Sequence, residues 1–183
     1  MNHKEENGFS YIEVLIALVI LLVGILALLS SMAAAVLTSH GQGIQLEALQ
    51  IATTTVESIM SVKETDPERL GWDAVGNVGA NIDPETGDPQ GIFVVGRTPV
   101  LSSSGPDEVF GTADDEGAAI PGYERTIVIT DICDPDRPSY NCPTPGPARV
   151  RFRQVEVTIF YTVGQSARQE RITTVLSDYA VTE

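Results

Sequence analysis

Gly8-Phe9-Ser10-Tyr11-Ile12-Glu13-Val14-Leu15-Ile16 opens an apolar run that continues to Leu37. From Val14 through Leu37 no side chain carries a charge, so the run meets the length and composition test for a helix that crosses a bilayer. One acid, Glu13, stands inside its amino-terminal end. A charge at the bilayer centre costs about 2.5–3.5 kcal/mol on insertion scales, which makes an intramembrane carboxylate a functional candidate by default. At about 1.5 Å per residue the run from Phe9 to Leu37 spans about 43 Å, more than the roughly 30 Å hydrocarbon layer requires.

The segment from Gly8 to Leu15 resembles the prepilin processing site of type IV pilins and of type II secretion pseudopilins. The resemblance rests on a Gly-Phe junction, a lone Glu at fixed spacing and an uninterrupted apolar helix. It implies a leader of residues 1–8, cleavage between Gly8 and Phe9 by a dedicated prepilin peptidase, and N-methylation of Phe9. Two features depart from the family's pattern. Tyr11 stands where a Thr or Leu is commoner, and the leader carries Lys4 against Glu5 and Glu6, which weakens the usual cytoplasmic-side charge signal. An ordinary secretory signal ending at Ala33-Ala34-Ala35 is the rival, but its apolar core exceeds the usual length and contains Glu13.

Residues four apart share a helix face, so Glu13 lies near the new amino terminus at Phe9. A terminal amine and a carboxylate attract strongly in a low-dielectric setting, but only good pairing offsets the desolvation of both. In a staggered fibre, the amine of one subunit can meet Glu13 of a neighbour and hold the two in register, the role the family implies for this residue. Taken by itself, Glu13 reads better as a residue at the headgroup level, just outside the hydrocarbon; the processing motif tips the balance toward pairing. The implied partners are the prepilin peptidase, an inner-membrane assembly platform, membrane lipid, and other pilin subunits through the amino-terminal helix.

The 183-residue chain has a formal charge of −14 and a pI near 4.4, which argues against nucleic acid, whose backbone requires clustered Lys and Arg. Its histidines are His3 and His40; His3 leaves with the leader and His40 lies near the end of the apolar helix, poor ground for a catalytic base. Phosphate-cradling and dinucleotide fingerprints are absent from the sequence, so no enzyme is expected. Cys133 and Cys142 flank eight residues rich in Pro and Asp. In an exported domain a disulfide is the default reading, contributing on the order of 3 kcal/mol in the chain-entropy model.

The expected architecture is α+β: a long amino-terminal helix, transmembrane in its first half, packed on a carboxy-terminal antiparallel sheet. The helix covers residues 9–62, with 9–37 as the membrane or fibre-core part. Gly24, Gly41 and Gly43 are its weak points. Leu49, Ala52, Val56, Ile59 and Met60 recur at helical spacing and are expected to face the sheet. Residues 63–122 are loop-rich and acidic, with short strands expected at 92–95 and 99–101. Residues 123–183 form the sheet: a strand at 124–130, the alternating Val155, Val157, Ile159, Tyr161 and Val163, a turn at Gly164-Gln165-Ser166, and a return strand from Arg168 to about Asp178. Val150 and Phe152 fall out of phase with that alternation, so a bulge or a strand start is expected near Arg153-Gln154. Paired strands about a short turn also resemble, more loosely, the carboxy-terminal sheet of pilus-modification minor pilins.

Asp107, Glu108, Asp114 and Asp115 around Gly111 could supply oxygen ligands to calcium, as could Asp83, Glu85 and Asp88 around Gly87. Neither group follows the EF-hand spacing, and solvated acidic loops are preferred, so no cofactor is expected. The function this reading favours is a structural minor pilin that is inserted in the inner membrane with its carboxy-terminal domain in the periplasm, then enters or primes a type IV pilus at the cell surface. A type II secretion pseudopilin is the alternative, and a signal-anchored calcium-binding or adhesive domain is a third reading.

Overall fold

The computed structural model describes residues 10–64, 71–83, 85–132 and 152–178. Gly8, Phe9, Cys133 and Cys142 lie outside them. Helix α1 runs from Tyr11 to Glu64, and its first turn closes through Glu13 N–H and Val14 N–H donating to Ser10 O at 3.0 and 3.3 Å. Four strands follow: β1 (Arg97–Ser103), β2 (Glu116–Asp131), β3 (Phe152–Val163) and β4 (Ser166–Ser177). A short 3-10 turn at Trp72–Ala74 lies between helix and sheet in the chain. The fold class is α+β, and the chain divides into two compact units at Gly43/Ile44.

In the first unit the helix is exposed along almost its whole length, its most apolar 18-residue window having a mean hydropathy of 3.2 with nothing buried. It is long and apolar enough to cross a membrane.

In the second unit the sheet is antiparallel in the order β1-β2-β3-β4. Alternation sends Tyr123, Arg125 and Ile127 of β2, and Arg153, Val155, Val157, Ile159 and Tyr161 of β3, to the buried face. The carboxy-terminal part of α1 covers that face with Ala48, Ala52, Thr55, Ile59 and Val62, joined by Val56. Their steps of 4, 3, 4 and 3 keep one stripe on the sheet. Of the expected stripe Ala52, Val56 and Ile59 are buried, whereas Leu49 and Met60 are 43% and 47% exposed and Ala48, Thr55 and Val62 complete the face. The small side chains Ala48 and Ala52 let the helix backbone approach the sheet, and they decide the face over the larger Leu49.

Two further expectations are corrected, and a third is decided between its alternatives. Residues 92–95 form no ladder; Phe93 makes one isolated parallel bridge with Asn77. The strand expected from Glu124 begins at Glu116. Of the two alternatives near Arg153-Gln154 the strand start holds, since β3 begins at Phe152, and there is no bulge, because β3 pairs with β4 without a register shift from Phe152 to Val163. Arg153 occupies an inward position in phase with Val155, so the phase is unbroken and a charged residue simply stands in the apolar series. The register shifts lie between β1 and β2, at Pro99/Leu101 and Leu101/Ser103. Val163 pairs with Ser166, so Gly164 and Gln165 form a two-residue hairpin turn with Gly164 at φ +62°.

The segment before β1 completes the core. Pairing of β1 with β2 reaches only Arg97↔Thr126, leaving the later part of β2 bare on that side. Asn77 covers it: its Nδ2 donates to Ile127 O at 2.9 Å, and its Oδ1 accepts from Ile129 N–H at 2.8 Å. One amide side chain thereby does what a neighbouring strand would, protecting a strand edge. Gly111, at φ +102°, lies against the same region; a Cβ there would press on Ile127 Cδ1 and touch the Phe93 ring at 3.5 Å. Gly111→Ala is therefore expected to cost about 2–4 kcal/mol, from backbone strain and overpacking together. Urea unfolding followed by the emission of Trp72, the sole tryptophan, reads that loss as a lower midpoint.

Candidate functional site

Two places concentrate features with functional content, one in each unit. In the first, Glu13 stands in the first turn of α1, where the partial positive charge of the helix amino terminus favours a carboxylate. Around and after it Tyr11, Ile12, Val14, Leu15, Ile16 and Leu18 are all exposed, as are the apolar residues on to Leu37. The Thr38 hydroxyl donates to Ala34 O at 2.9 Å, so its polar group is satisfied within the helix. His40 is exposed on the same helix.

In the second unit the acidic turn between β1 and β2 is built on a buried arginine. Arg125, inward on β2 and 2% exposed, donates from NH2 to Asp115 Oδ2 at 2.6 Å and from NH1 to Thr55 Oγ1 at 3.3 Å. Asp115 also accepts from Gly111 N–H at about 3 Å through both oxygens. The Asp114 carboxylate accepts from the Thr112 hydroxyl at 2.7 Å and from Asp107 N–H at 3.3 Å. Asp107 accepts from Val109 N–H at 2.8 Å. The Thr112 hydroxyl is the main cause that holds Asp114 below the usual carboxylate range, while burial pushes Asp107 up, with the neighbouring Asp114 charge adding to it.

These four sequence-predicted residues thus have separate roles. Asp115 neutralises Arg125, Asp107 and Asp114 organise the turn, and Glu108 is exposed at φ +60°. Among the described residues no group of three or more His, Cys, Asp or Glu side chains is arranged to hold a metal ion. The second acidic group is likewise used locally: Asp83 accepts from Glu85 N–H at 2.7 Å, Thr86 N–H at 3.1 Å and Gln90 Nε2 at 2.9 Å. The N–H groups of Glu85 and then Thr86 lower its pKa.

Sequence reasoning missed both buried arginines. Arg153 donates from NH1 to Trp72 O and to Val75 O, the latter at 2.8 Å, and from Nε to Asp131 at 3.2 Å. Its guanidinium lies 4.5 Å from the centre of the Trp72 ring, a cation–π geometry. Burial lowers its pKa, opposed by Asp131. The signal was parity: Arg125 alternates with Tyr123 and Ile127, and Arg153 with Val155, so each belongs to the inward set by position while its chemistry argues for solvent.

At the other end of the sheet two tyrosines clamp the helix. Tyr123 donates to Glu47 at 2.8 Å, and Tyr161 donates to Glu170 at 3.1 Å. Gln45 Nε2 donates to the same Glu170 at 2.9 Å, and the two rings are 6.3 Å apart. Burial, then the glutamate partner, raises both phenol pKa values above the ordinary 10. A raised folded pKa contributes stability that is fully present below the unfolded value and is lost as pH rises through the folded one. Stability is therefore expected to fall from about pH 10 upward, with the two phenols ionising only as the unit unfolds. Trp72 emission, followed through an alkaline titration, checks this by reporting unfolding that sets in above about pH 10.

No protein-family model, curated protein or solved structure matches this chain.

Proposed function

We propose that the chain is a membrane-anchored fibre subunit of the type IV pilin kind, a minor component that enters or primes a pilus. The observation that carries this reading is the division of labour along α1. One helix offers an all-round apolar surface from Tyr11 to Leu37 and then binds a sheet through Ala48 to Val62. The first part is an anchor in lipid before assembly and a packing surface among like helices afterwards; the second part carries the folded cargo. In this reading peptidase cleavage after Gly8 exposes the Phe9 amine, and Glu13 of a neighbouring subunit receives it. The acidic, sheet-bearing unit lies on the periplasmic side and later on the fibre surface.

Support for the processing step comes from the Gly8-Phe9 junction and the spacing to Glu13. Support for a structural role comes from the second unit, where the buried charges of Arg125 and Arg153 are consumed by Asp115, Asp131 and backbone carbonyls. The test is recovery in filaments: fibres sheared from piliated cells that express the chain are expected to contain it as a minor species. Retention of all of it in the membrane fraction of such cells contradicts the reading.

A further inference from the structure

We draw no further inference here: the strongest candidate, the outer edge of β4, which ends the sheet order and pairs among the described residues with β3 alone while Arg171, Thr173 and Val175 stand exposed along it, carries nothing, because nothing in the structure shows what covers it.

Discussion

Asp115→Ala is expected to destabilise the sheet-bearing unit by about 3–5 kcal/mol, the usual consequence of removing one partner from a buried ion pair. Asp115 and Arg125 are 7% and 3% exposed at their side chains, so water cannot replace the missing carboxylate. What remains to Arg125 is the Thr55 hydroxyl at 3.3 Å, too little to offset a buried charge. Such a loss is a large share of the roughly 5–15 kcal/mol that holds a domain folded. The Gly111 N–H loses its acceptor in the same change, which loosens the turn that Asp107 and Asp114 organise. Asp115→Asn keeps an acceptor and is expected to cost about 2 kcal/mol. The double variant Asp115→Ala/Arg125→Met removes the stranded charge and is expected to regain much of the loss, as buried pairs replaced by apolar groups do. Urea unfolding of the full chain in detergent, read by Trp72, separates the three. A loss under about 1 kcal/mol for the alanine variant, as exposed pairs give, contradicts a buried pair.

Glu13→Ala is expected to remove the chain from filaments while leaving it in the membrane. The substitution makes the anchor more apolar, so insertion improves by the carboxylate's removal. The folded unit from Ile44 onward is untouched. On the proposed assembly, what is lost is the partner for a neighbour's terminal amine, an interaction strong only where water is excluded. The predicted pattern is thus unchanged abundance in membranes and unchanged unfolding by urea, with at least tenfold less chain in sheared fibres, the factor that about 1.4 kcal/mol of lost contact produces. Equal incorporation of the variant means that Glu13 has no part in assembly.

The parts of the fold written in periodic side chains were legible beforehand. An apolar run with no charge from Val14 to Leu37 reads as a helix because nothing else satisfies the backbone of so long an apolar segment. Val155, Val157, Ile159 and Tyr161 read as a strand because alternate residues face opposite ways. What escaped was held by polar groups used against type. The inward place of Arg153 was hidden because its partners Trp72 O and Val75 O come from a segment 78 to 81 residues away. Asn77 stands in for a strand next to Ile127 and Ile129, and no local pattern announces that. The acidic turn showed its carboxylates but not their purpose, because Asp115 acquires meaning only when β2 brings Arg125 beneath it. The helix face was legible at Ala52, Val56 and Ile59 but not at its edge, where Ala48 takes the place of Leu49 through smallness, a property that hydropathy does not record.

The central claim is that this helix begins, in the working protein, at a newly made chain end placed to meet Glu13. Intact mass and amino-terminal fragment spectra of the membrane-extracted chain, from cells with and without an active prepilin peptidase, test it most directly. The account predicts a chain that starts at N-methylated Phe9 when the peptidase is active and at Met1 when it is absent. A chain that starts at Met1 in both, or one cut near Ala35 by an ordinary signal peptidase, contradicts it.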